Sequence, residues 1–178
     1  MTHYSKLVEK KIKSEKIYRG VTGFNRDTVK LVNGKTAFRE YMLHPGASAV
    51  LAFVDGKVLF VEQFRYPVDK VTLELPAGKM KKGQSPLACA KAELEEETGY
   101  TADTWTALGD FHPTAAYCDE KITLYLATGL HQGERHLDED EFLNVMAVPM
   151  EELIADIMAG RITDGKTQAA ILKAHYLL

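Results

Sequence analysis

Cysteine is scarce in this chain of 178 residues: Cys89 and Cys118 are the two present, far apart and outside any CxxC spacing. That excludes a disulfide scaffold and a thiolate zinc site, and it fits a reducing cytoplasm. Long basic runs are missing as well, and the formal net charge is only −3. Partners that need clustered Lys and Arg, namely nucleic acid and anionic membrane surfaces, are therefore not expected. No apolar run is long enough to cross a bilayer. The opening MTHYSKLVEKKIKSEK has no apolar core of the signal-peptide kind. His44, His112, His131, His136 and His175 are scattered, with no metal-ligand spacing between any two, and there is no internal repeat. What remains is enough for one domain, or one domain with a small attached sheet, and 46% apolar residues to fill its core.

The first forty-odd residues read as strands. VEKKIKSEKIYRG and DTVKLV alternate roughly, and Asn33-Gly34 signals a hairpin turn before KTAFREYML. SAVLAFV and KVLFVEQFRY flank a second hairpin signal, Asp55-Gly56, and VTLELPAG is a short strand ending at Pro76. From Ser85 the pattern is helical. Ser85 suits the cap, Pro86 the first helical position and Gly99 the exit, with Leu87, Ala90 and Leu94 as an apolar stripe. Strands return around TALGDF, KITLYLATGL and FLNVMAV, with the acidic HLDEDE as an exposed loop between the last two. Two helices close the chain: PMEELIADIMAG, with Leu153, Ile154, Ile157 and Met158 as its inner face, and DGKTQAAILKAHYLL, capped by Asp164. The order predicts an α/β sandwich, residues 44–178, preceded by a small antiparallel sheet, residues 1–43.

The segment AELEEETGY breaks a rule of helix electrostatics. Glu93, Glu96 and Glu97 stand at i, i+3 and i+4, on one side of the helix and in its last turn, where the macrodipole disfavours carboxylates. A compensating cation is the reading that accounts for both penalties, and hard divalent ions such as Mg²⁺ prefer carboxylate oxygens and bridge them to phosphates. The alternative from the glutamates alone is a solvated acidic helix end, with Lys91 pairing Glu95 at i, i+4.

The Gly- and Lys-rich loop GKMKKGQSP precedes this helix, and the two together resemble the box of the Nudix hydrolases, G-x5-E-x7-R-E-U-x-E-E-x-G-U with U a bulky apolar residue. Gly78, Glu93, Leu94, Glu96, Glu97, Gly99 and Tyr100 fall on pattern positions, while Gln84 replaces the early Glu and Ala92 the Arg. In the family that Glu and Arg brace the loop; here both charges are gone together, so neither leaves an unpaired ion behind. Beyond the box, HPGASAVLAF, VEQFRYPVDKVTLELPAGKM, LDEDEFLNV and GRITDGKTQAAI are similar to stretches of ADP-ribose pyrophosphatases. HPTAAYCDE departs from the SPG-like turn of those relatives, with Ala115 where the proline is expected and Pro113 two residues earlier.

The resemblance implies a Nudix α/β/α sandwich with a mixed sheet, a homodimer with an exchanged N-terminal sheet, and metal-dependent hydrolysis of a nucleoside diphosphate sugar. ADP-ribose, cleaved to AMP and ribose 5-phosphate, is the expected substrate. Another nucleotide sugar, a dinucleotide, or a nucleotide-binding sensor that has lost catalysis are the alternatives. It implies Glu93 and Glu97 as ligands of Mg²⁺ or Mn²⁺, with Glu96 and the carbonyl of Ala77 adding oxygens. Arg65 in the QFR motif, and Arg39, would contact substrate. A loop acid among Asp138, Glu139, Asp140 and Glu141 would be the base, Glu141 first and Glu139 second.

Overall fold

The computed structural model describes residues 7–139 and 141–177 and divides into two compact units, 1–45 with 114–120, and 46–113 with 121–178. Asp140, one of the expected loop acids, lies outside the described residues.

In the first unit, β1 (Lys10–Arg19), β2 (Gly23–Lys30) and β3 (Thr36–Leu43) form an antiparallel sheet in that order. The β2–β3 turn closes where Asn33-Gly34 signalled it: Leu31 N–H donates to the Lys35 carbonyl at 2.8 Å, and Gly34 takes the left-handed conformation at φ 84°. Asn25, Asp27 and Val29 alternate along the buried face of β2, and the Tyr41 hydroxyl donates to Asp27 at 3.1 Å. β1 is exposed along its whole length. The segment 114–120, within the 44–178 stretch of the sequence division, lies in this unit. Met42 N–H donates to the Tyr117 carbonyl at 2.8 Å, and Asp119 N–H to that of Met42 at 3.1 Å.

The second unit is built on a mixed sheet. β4 (Ala47–Val54) and β5 (Lys57–Arg65) meet at Asp55-Gly56, whose positive φ values of 49° and 75° suit a two-residue hairpin turn. The two strands pair only at the hairpin base, Phe53 with Val58 and Val54 with Lys57, and then part. One continuous stretch fills the gap: β6 (Lys70–Glu74) pairs with β5, and after Leu75-Pro76, β7 (Ala77–Lys79) pairs with β4. Val50 N–H donates to the Pro76 carbonyl at 2.9 Å, which fixes the crossing point. β9 (Ile122–Gln132) runs parallel to β4, β8 (Tyr100–Phe111) antiparallel to β9, and β10 (Leu143–Pro149) antiparallel to β5.

Alternation on the central strands divides the core into two layers. Ala49, Leu51, Val58 and Phe60 pack with Leu153, Ile157, Ala170 and Ile171 of α2 (Met150–Met158) and α3 (Gly165–His175). Val50, Ala52 and Leu59 pack with Ala90 and Leu94 of α1 (Pro86–Thr98). Helices therefore cover both faces of the sheet, as the sequence pattern predicts. Trp105, which the sequence leaves open, packs at the edge of the α1 layer against Tyr125. Met158 departs from the expected inner face of α2: it is the helix's last residue and is exposed, because Gly160 turns the chain away at φ 71° and no further turn covers it. Lys91 also departs from expectation; its ammonium lies 5.9 Å from the Trp105 ring centre and no pair with Glu95 forms. Among the described residues, no helix is long and apolar enough to cross a membrane.

Candidate active site

The box helix begins and ends on its own local signals. Ser85 Oγ accepts the Ala88 N–H, Pro86 opens the first turn, and Gly99 closes the last at φ 77°. Ala90 and Leu94 face the sheet, and the next position on that inward face is a carboxylate, Glu97, only 3% exposed. The helix thus carries an acid where its pattern calls for an apolar residue. Glu97 Oε2 accepts the Ala77 N–H at 3.0 Å, so the crossing stretch between β6 and β7 grips the helix at this residue.

Glu93 lies one turn earlier, against Gly78. A Cβ at position 78 would sit 2.1–2.2 Å from the carboxyl atoms of Glu93, so any side chain there would displace that carboxyl. Cys89, buried as its sequence context suggests, donates its thiol to the Gly78 carbonyl at 3.4 Å. Burial, then the charges of Glu96 and Glu141, push the Glu93 carboxyl up to about 7; Lys81 opposes them. Burial, then the charge of Glu93, push Glu97 up to about 8 against the Ala77 hydrogen bond and Arg65. Poor solvation and neighbouring negative charge both disfavour the ionised form of each carboxyl.

Glu96 is more open, and its carboxylate lies 3.6 Å from the Lys81 ammonium. Its carbonyl accepts the His136 N–H at 3.1 Å, and the Gly99 carbonyl accepts the Gly133 N–H at 2.7 Å. These bonds stitch the start of the acidic loop to the end of the box helix. Further along, Glu141 N–H donates to the Asp138 carbonyl at 3.0 Å, and the Glu141 charge acts on both Glu93 and Glu97. Glu139 is exposed. Beside Glu141 opens a cavity of about 460 Å³ lined by Phe64, Val71, Arg135, Phe142 and Asn144.

Arg65 ends β5 with its guanidinium clamped on Glu74, at 2.8 Å from Nε and 2.7 Å from Nη2. Arg39 belongs to the N-terminal unit, where its guanidinium forms a two-point pair with Glu9. The structure therefore brings Glu93, Glu97, Ala77 and Gly78 together, with Glu96, Arg65 and Glu141 acting on that group. Sequence reasoning missed Lys81 and Glu74. Lys81 was legible only as one of several lysines in a loop, and Glu74 only as an acid between Leu73 and Leu75 in a strand of few residues.

Gln84, at the position where the resemblance expects a Glu, closes a turn of the loop. Its side-chain oxygen accepts the Lys81 N–H at 2.9 Å and its own N–H donates to the Lys81 carbonyl at 2.9 Å. A neutral amide closes this turn.

A mixed sheet between helices, with a Gly-cradled pair of box glutamates at the end of one of them, defines a hydrolase site of the Nudix type. The NUDIX domain family model matches residues 42–169, and the chain belongs to the Nudix hydrolases. It is 43% identical over 169 residues to the ADP-ribose pyrophosphatase of Bacillus subtilis (strain 168), covering 93% of this chain and 91% of that one. It is also 43% identical over 167 residues to the methanol dehydrogenase activator of Bacillus methanolicus, covering 92% and 90%. In fold it is similar to the crystal structure of an ADP compounds hydrolase, with a TM-score of 0.84 at 20% identity, covering 96% of this chain and 94% of that one.

Proposed function

We propose that this Nudix hydrolase cleaves the diphosphate linkage of a nucleoside diphosphate sugar, converting ADP-ribose to AMP and ribose 5-phosphate. The observation that carries the reading is the Glu93–Glu97 pair, two acids one turn apart on the box helix, Glu97 on the Ala77 N–H and Glu93 against Gly78, both raised by burial first and by neighbouring acid charge second. The donors suit a divalent cation. Among the described residues no three acid, thiol or imidazole groups form a ready cage. Mg²⁺, however, commonly takes one or two carboxylates and completes its shell with water and phosphate oxygens. Glu93 and Glu97 would hold Mg²⁺, or Mn²⁺ in its place, with Glu96 and the Ala77 carbonyl as further oxygens. When bound, the cation supplies charge withdrawal from the phosphates and a more acidic water.

The chain's own groups do the rest. Arg65 orients the diphosphate through the part of its guanidinium that Glu74 leaves open. Glu141 accepts the proton of the attacking water, with Glu139 as the second choice, and the stitched acidic loop excludes bulk water around it. In solution the protein is a homodimer joined through the N-terminal sheet, whose strand β1 leaves Ile12 and Ile17 more than half exposed in the single chain. Arg39 reaches substrate from that sheet. The enzyme works in a reducing cytoplasm.

Purified protein given ADP-ribose, other nucleotide sugars and dinucleotides, in Mg²⁺ and in EDTA, tests the reading by product analysis. AMP and ribose 5-phosphate formed fastest from ADP-ribose, only with metal, is the expected result. Faster cleavage of another nucleotide sugar would move the substrate, and tight binding without turnover would identify a sensor.

A further inference from the structure

Arg65 stands in a cluster of buried charge that the reaction does not by itself require. Glu74 is 2% exposed, and besides the two Arg65 donors its carboxylate accepts the Thr72 hydroxyl at 2.6 Å and the Lys166 ammonium. Lys166 is 7% exposed and lies 3.1 Å from Asp164, which caps α3 by accepting the Thr167 N–H at 2.9 Å. Thr167 Oγ1 accepts the Leu75 N–H at 2.9 Å, which ties the same helix start to the stretch leading to Gly78. Buried ion clusters of this kind rarely add stability over apolar side chains of equal volume, because desolvation offsets the attraction. Their use lies in direction and charge.

Both are visible here. Glu74 engages one edge of the guanidinium, Nε and Nη2, and so fixes its plane while Nη1 stays outside the pair. An Arg and a Glu alone would form a neutral couple with little to offer an anion. The Lys166 ammonium shares the same carboxylate, so Glu74 does not answer to Arg65 alone. We infer that Glu74 and Lys166 are positioning residues: Glu74 sets the plane of the Arg65 guanidinium and Lys166 shares its carboxylate, so that Nη1 meets the substrate diphosphate. The inference rests on the reading of Arg65 as the diphosphate contact given above.

The test is a cycle between Lys166→Met and Arg65→Ala, with kcat and KM for ADP-ribose in Mg²⁺ and thermal melts for each variant. Lys166→Met keeps the stem and removes the charge. KM is expected to rise about tenfold with kcat within about threefold, as for lost ground-state binding, and Lys166→Arg to restore most of it. In the Arg65→Ala background the Lys166 change should raise KM no further. Thr72→Val, which removes only the hydroxyl on Glu74, serves where Lys166→Met fails to fold, and its smaller rise in KM should vanish in the same background. An unchanged KM in Lys166→Met, or an equal rise with and without Arg65, overturns the inference while the diphosphate role of Arg65 stands. An unchanged KM in Arg65→Ala alone removes that role, and the inference with it.

Discussion

Replacing Glu97 by Gln exchanges one oxygen for an amide nitrogen at a site with almost no solvent, and it separates the helix's stability from its chemistry. Glu97 is 3% exposed, and burial together with Glu93 raises its carboxyl from 4.5 to about 8. Between those values the folded chain holds a proton that the unfolded chain has released, so metal-free stability is full below pH 4.5 and falls as pH rises through 8. At about 1.4 kcal/mol per pH unit, the cost at pH 7 reaches roughly 3 kcal/mol, an upper bound because Glu93 shares the proton. Gln has no such proton to lose, and its side-chain oxygen still accepts the Ala77 N–H. In EDTA, Glu97→Gln is therefore expected to be more stable than the parent at pH 7 and equal to it at pH 4.5, in urea unfolding at both. With Mg²⁺ the order reverses, because the parent gains binding energy that the variant loses, and ADP-ribose turnover falls by roughly a hundredfold or more. A variant less stable than the parent in EDTA at pH 7, or one that turns over ADP-ribose at the parent's rate, would refute the reasoning.

Gly78→Ala puts a methyl on the Glu93 carboxyl, so hydrolysis should collapse for a loss of about 1–3 kcal/mol in stability, checked by turnover against urea midpoints. Glu141→Gln should lower kcat by about 10²–10⁴ with KM nearly unchanged, and Glu139→Gln should do neither; the opposite ranking would move the base. Sedimentation at micromolar protein should give twice the 19.9 kDa of one chain, and a monomeric mass would remove the dimer.

Elements whose signals are local were legible from sequence. Asp55-Gly56 adopts the two positive φ values of its turn, and Ser85, Pro86 and Gly99 open and close the box helix, because each acts within a few residues of itself. Glu93 and Glu97 were legible for the same reason, as acids misplaced on one helix end. The depth of Glu97 was not, since it comes from Ala77, 20 residues away in a strand too short to announce itself. Lys166 and Glu74 are 92 residues apart, and nothing in either neighbourhood signals the other. The HPTAAYCDE stretch read as a departure from the SPG-like turn of relatives, and its residues pair with the end of β3 and with His44, over 70 positions upstream, which no local signal shows. Gln84 read as a lost charge, and its side-chain oxygen instead accepts the Lys81 N–H within the loop.

The ten residues from Lys70 to Lys79 belong to both halves of the parted sheet, through β5 at one end and β4 at the other. Both registers are set from the same short run, so its length cannot drift. One residue added or removed there would slip Glu74 off Arg65, or Gly78 off Glu93, and would turn every side chain of the slipped strand to the other face. Downstream, the turn from Lys81 to Gln84 is closed by its own hydrogen bonds and is not tied into either ladder. A substitution at position 84 or 92 therefore leaves both ladders in place, whereas a change of length in the bridge disturbs both. Anyone resizing the site for a different leaving group has the acidic loop of 133–142 to lengthen, and the bridge to leave alone.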